Sequence, residues 1–156
     1  MPNVVFVDTS VLCNLLPVPG FDQNAGEVRE QMSARLKHDE SLFILPITTV
    51  IETGNHIAQI KNGDARRRTA ERFSEMLDLI IKKKAPWTLH DIAWNKTFLE
   101  MLMEGAGTGT SYVDHASARV GTGDLCILTE CEQYRQRTKM DATIWSLDQA
   151  LAAYGV

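Results

Sequence analysis

Four acids in this chain, Asp8, Glu52, Asp124 and Asp148, stand at the edges of apolar segments, where a solvated surface carboxylate is not expected. Asp8 ends the run Val4-Val5-Phe6-Val7, and Asp148 follows Thr143-Ile144-Trp145-Ser146-Leu147. Glu52 sits in the first turns of the segment after Phe43-Ile44-Leu45, and Asp124 opens Asp-Leu-Cys-Ile-Leu. In an open parallel sheet, strand ends from distant parts of a chain converge on one crevice, and ligands bind there. Acids gathered at such an edge repel one another unless a cation lies between them. Oxygen donors with no His–Cys cluster beside them favour a hard ion, Mg²⁺ or Mn²⁺, over zinc. An ion of that kind can activate water for attack on a phosphodiester and stabilise the charge that develops.

Each acid also has a plainer explanation. Asp8, with Thr9 and Ser10 after it, is good helix-capping material, and so is Asp148 after Ser146. Asp124 shares a helical face with Ile127, Leu128 and Cys131, which directs it toward a core or a cleft. Glu52 has Asn55, His56 and Gln59 as helical neighbours, a set that also suits a solvated face. It gains weight from the other three acids. His56, four residues beyond Glu52, could join a metal site, but a lone histidine on a polar face is more often surface. Thr9, Ser10 and Ser146 are supporting candidates that could orient the carboxylates. Arg66, Arg67, Arg68 and Arg72 fall in one short stretch and are candidates for phosphate contacts. Further basic clusters are Lys82 to Lys84 and Arg135, Arg137 and Lys139.

To bring the acids together the chain must alternate strands and helices. Val4 to Val7 reads as a buried strand, followed by a short helix that Pro17, Pro19 and Gly20 stop. A helix is expected from about Ala25 to His38, and a strand from Ser41 to Leu45 that Pro46 ends. Helical periodicity starts at Ile47, with Thr48 or Thr49 as caps, and breaks at Lys61-Asn62-Gly63. Asp64 then caps a longer helix, with Ala70, Phe73, Met76, Leu77, Ile80 and Ile81 as its apolar stripe. Pro86 to Leu89 is a third short strand by composition, and Asn95 to Met103 a helix before the glycines at 105, 107 and 109. Helices follow over Tyr112 to Arg119 and Asp124 to Arg137. Thr143 to Leu147 is the last strand, and Gln149 to Tyr154 a closing helix. Strands separated by helices predict an α/β fold with a parallel sheet.

With 156 residues, 44% of them hydrophobic, the chain reads as one domain able to bury its own core. No apolar run is long enough to span a bilayer, and Met-Pro-Asn-Val-Val-Phe lacks the basic region of a signal peptide. The 3 cysteines form no Cys-x-x-Cys pair, which argues against disulfides and zinc knuckles. Cys126 and Cys131 are expected to face the core. A cytoplasmic location fits these features. A net charge of −4 argues against clamping duplex nucleic acid through the overall field.

Four segments together resemble the PIN-domain family. Val-Phe-Val-Asp-Thr-Ser-Val-Leu resembles the family's opening strand and Asp, and Pro-Ile-Thr-Thr-Val-Ile-Glu its second motif. Gly-Thr-Gly-Asp-Leu-Cys-Ile-Leu resembles the third, an Asp heading a helix, and Ile-Trp-Ser-Leu-Asp-Gln-Ala-Leu the fourth. The resemblance runs through the whole chain in order. It implies a three-layer α/β/α sandwich with a central, mostly parallel sheet over residues 1–156. It also implies metal-dependent RNA cleavage, with Asp8, Glu52, Asp124 and Asp148 as the catalytic and metal-binding acids. Many small members are toxins of the VapC type, dimeric and neutralised by a small antitoxin. An antitoxin and a homodimer are therefore partners to expect beside the RNA substrate, and a stand-alone PIN nuclease is the other form.

Two rivals stay open on sequence. An aspartyl phosphatase would use Asp8 as nucleophile, but Ser10 stands where its second acid belongs. A catalytically silent module would keep the fold alone. No glycine-rich phosphate loop supports a nucleotide-dependent enzyme.

Overall fold

A computed structural model gives the fold and describes residues 3–154, the side chains of 150 and 152 aside. Met1 and Pro2, which open the segment read as lacking a leader, lie outside it. The order is β1 (Val4–Val7), α1 (Thr9–Leu15), α2 (Ala25–His38), β2 (Leu42–Ile44), α3 (Ile47–Ala58) and α4 (Gly63–Ile81). It continues with α5 (Lys96–Glu104), α6 (Tyr112–Ser117), α7 (Thr122–Thr138), β3 (Ala142–Trp145) and α8 (Gln149–Tyr154). Among the described residues the strands form a parallel sheet in the order β2-β1-β3. Parallel neighbours need crossover connections, and the helices supply them.

β1 is central because every residue in it is apolar and fully buried, the pattern of a strand covered on both faces. Its side chains alternate between two cores. Val5 and Val7 pack with Phe43, Trp145, Val11, Leu12, Val28, Ile57 and Phe73. Val4 and Phe6 pack with Ile44, Ala142, Ile144, Leu125, Ile127 and Leu128. The connection from β1 leads to β2 on one side, and β3 lies on the other. The strand order therefore reverses at β1, and its C-terminal end opens a crevice.

Several expectations need correction. Pro86 to Leu89 forms no strand; Trp87 makes one isolated bridge to Phe43. Asn62, not Asp64, caps α4, accepting a hydrogen bond from the Ala65 N–H at 2.9 Å. Neither Thr48 nor Thr49 caps α3, which begins after Pro46. Asp124 is the third residue of its helix, not the first, because Gly121 is the N-cap. Arg135, read as part of a basic cluster, donates to the Ala142 carbonyl at 2.9 and 2.6 Å and ties α7 to β3. Cys131 is buried as expected, whereas Cys126 is half-buried. The glycine break is real: Gly105 has φ +90°, and a Cβ there would overlap the Thr110 carbonyl oxygen. No helix among the described residues is long and apolar enough to cross a membrane.

Candidate active site

Asp8 leaves the end of β1, and its backbone N–H extends the ladder to the Trp145 carbonyl at 3.0 Å. It does cap α1, accepting from the Ser10 N–H on Oδ2 at 3.4 Å. Capping does not account for the rest of its contacts. The Ser10 hydroxyl donates to the same oxygen at 2.7 Å and the Ser146 hydroxyl at 2.8 Å. Those hydroxyl oxygens in turn accept from the Leu147 and Asp148 N–H groups, each at 2.9 Å. Two serines thus join the ends of β1 and β3 and orient a carboxylate that is only 5% exposed.

Glu52 arrives from α3. The buried Thr49 hydroxyl donates to the Val7 carbonyl at 2.8 Å, pinning the helix to the end of β1. Glu52 lies three residues on, on the same face, and its Oε1 accepts from the Thr9 hydroxyl at 2.9 Å. α7 approaches here because Gly123 has no side chain: a Cβ would sit 3.3 Å from Glu52 Oε2. The next residue is Asp124, anchored by the buried Ile127, Leu128 and Cys131 on its side of the helix. At the far end of this joint, the buried Glu130 accepts from the Ile47 N–H at 3.2 Å, and burial pushes its carboxyl up to about 7.

Burial raises the Asp124 carboxyl, and the charges of Asp8, Asp148 and Glu52 raise it further, to about 6. All four acids line one cleft of about 420 Å³. Cys13 lines it too, but burial, with Asp8 and Glu52 adding to it, pushes its thiol up to about 11. A thiol that keeps its proton at neutral pH is a poor nucleophile, so the carboxylates carry the chemistry available here. The acids are close enough for their charges to act on Asp124. Among the described residues, however, no group of three or more His, Cys, Asp or Glu forms a ready metal cage.

Of the supporting candidates, Thr9 and Ser10 line the cleft and Ser146 holds Asp8 from behind. His56 also lines it, stacked on Phe21. The four arginines do not. Arg66 donates to the Ile60 carbonyl at 2.9 Å, Arg67 pairs with Glu71 at 3.0 Å, and Arg72 reaches the Leu16 carbonyl at 3.5 Å. Arg68 is exposed on the same helix. Sequence reasoning missed Asn14, Phe21, Gln23 and Asn24 as lining residues. Asn14 donates to the Ser10 carbonyl at 2.8 Å and accepts from the Asn24 N–H at 2.9 Å, bracing the loop over α1. Its spacing of four from Ser10 was the one available signal. The loop residues carried none, since nothing local says where a loop will fold back.

Compared with family models, with curated proteins and with solved structures, the chain finds no match.

Proposed function

We propose that this chain is a metal-dependent endoribonuclease, a single PIN-like α/β/α domain that hydrolyses RNA phosphodiester bonds in the carboxylate cleft. The observation that carries this reading is the convergence of four acids from four separate segments on one cleft, where burial, and then the charges of the other three, raise the Asp124 carboxyl. The apolar cores on both faces of the sheet favour the sandwich arrangement. The donor set is all oxygen and suits Mg²⁺ or Mn²⁺; since no cage is ready among the described residues, the acids would have to close around the ion.

When bound, such an ion makes water more acidic and offsets the negative charge building on the phosphate. Asp8, Asp124 and Asp148 would hold it. Asp8 is already oriented by Ser10 and Ser146, so little freedom is lost on binding. Glu52, steadied by Thr9, would either join the ligands or accept a proton from the attacking water. Arg66, Arg67, Arg68 and Arg72 are candidates for more distant backbone contacts only, because none lines the cleft.

The toxin form of this reading adds a small antitoxin and a homodimer. What favours a protein partner is an exposed apolar patch, Ile47, Ile51 and Trp94, around a second cleft of about 380 Å³.

The test is cleavage of a pool of structured and single-stranded RNAs by wild type and Asp8→Asn, in Mn²⁺ or Mg²⁺ and in excess EDTA. Cleavage lost in both the variant and the chelator is the expected result. Cleavage surviving both would overturn the carboxylate mechanism.

A further inference from the structure

The carboxylate cleft presents a difficulty for any polyanionic substrate. Four acids line it and, among the described residues, no lysine or arginine does, while the whole chain carries a net charge of −4. Electrostatic attraction, the usual main source of nucleic-acid affinity, is not supplied by the cleft walls. Beside whatever a bound ion offsets, an uncharged attraction would add to binding, and the rim contains one.

Phe21 lines the cleft and remains 42% exposed. A scattered exposed apolar side chain needs no explanation, but this one is held in place. Its N–H donates to the Val18 carbonyl at 2.9 Å. Its ring stacks on His56 with centroids 4.0 Å apart and planes 29° from parallel. His56 in turn lies four residues beyond Glu52 on α3, about 6 Å along the helix. The two-ring stack is thereby tied to the same rigid element that carries one of the acids. The Asn24 N–H donates to Asn14 Oδ1 and braces the same loop.

We propose that Phe21, backed by His56, is the platform on which the cleft stacks one unpaired nucleobase of its substrate strand. This rests on the nuclease reading and adds to it the side chain that holds a base of the substrate. Every unpaired base offers a π-face to an aromatic ring, so stacking needs no particular sequence. In a duplex those faces are covered by neighbouring base pairs, and the platform has nothing to grip. His56 acts here as support for the ring, not as a metal ligand.

The experiment is equilibrium binding by fluorescence anisotropy, in Ca²⁺, with gels confirming that the RNA stays intact. A labelled unpaired oligonucleotide is compared with the same sequence closed in a hairpin stem, and with an abasic strand of equal length. The proteins are wild type, Phe21→Leu, which keeps apolar bulk without a π-face, and Phe21→Trp. Wild type and Phe21→Trp are expected to prefer the unpaired strand. Phe21→Leu should bind it about tenfold more weakly, and both wild type and Phe21→Leu should bind the abasic strand equally. Undiminished binding of the unpaired strand by Phe21→Leu would overturn the platform and leave the nuclease reading standing. Absence of RNA binding and cleavage by wild type would overturn both.

Discussion

Asp8 illustrates how a residue can cap a helix and still be set up for chemistry. Its Oδ2 takes the capping N–H and two serine hydroxyls, and an amide oxygen can accept the same bonds. Asp8→Asn should therefore keep its melting temperature within a few degrees while losing RNA cleavage by about 100-fold or more. Parallel melting curves and cleavage rates separate the two effects. Asp124 has the opposite character, since its site opposes its charge. Its folded carboxyl titrates near 6 against an ordinary 3.8. Between those values the folded protein holds a proton that the unfolded chain has released, so stability falls as pH rises through that window and stays lower above it. Asp124→Asn should accordingly melt higher than wild type at pH 7.5 and about level with it at pH 4, while cleaving no RNA. Equal melting temperatures at both pH values would show that burial and the neighbouring acids do not burden the Asp124 charge. Cleavage by wild type should rise between pH 5 and 7 as the carboxylate becomes free to bind an ion.

At the scale of elements, the site depends on how closely α7 can approach α3. Gly123 permits that approach, and the Glu130 bond to the Ile47 N–H secures the far end. Replacing a helical glycine by alanine ordinarily stabilises a helix by about 0.5–1 kcal/mol. At Gly123 the new methyl would press on Glu52 Oε2 at 3.3 Å, so that this carboxylate must shift by a few tenths of an ångström. Gly123→Ala should therefore equal or exceed wild type in thermal stability yet cleave RNA about ten- to hundredfold more slowly. Unchanged cleavage would mean that Glu52 adjusts without loss, and that its position is not critical. This glycine is visible in the sequence, but as a poor helix former within Gly-Thr-Gly-Asp. Only the packing of α7 on α3 shows its use.

For the whole molecule, unfolding links the site to any ion it holds. An ion that binds only the folded state stabilises it by about 2.7 kcal/mol at one hundred times its dissociation constant. For a chain of this length that is roughly 5 °C or more in melting temperature. Mn²⁺ or Mg²⁺ should raise the wild-type melting temperature by such an amount, EDTA should reverse it, and Asp8→Asn should blunt it. This readout needs no RNA. A wild-type curve indifferent to millimolar Mn²⁺ would remove the metal from the mechanism whatever the substrate proves to be.

Much of the architecture is local and was legible in the sequence. The β-branched run Val4–Val7, the proline and glycine stops after α1 and the Phe73, Met76, Leu77 and Ile80 stripe of α4 act within a few residues. The four acids could be singled out for the same reason, because each abuts a buried segment in the chain itself. Pro86 to Leu89 shows the limit. Its composition suits a strand, but strand pairing is decided by partners, and Trp87 finds only one bridge. The cleft is tertiary in the same way. Parallel register sets Val7 beside Trp145, so that Ser146 meets Asp8 across 138 residues of chain. The loop carrying Phe21 and Asn24 folds back onto Asn14 and His56 through contacts without sequence periodicity. The segments by themselves determined which side chains could do chemistry; the crossing of strands and helices decided which of them share one space, because separation along the chain carries no information about distance once a core has formed.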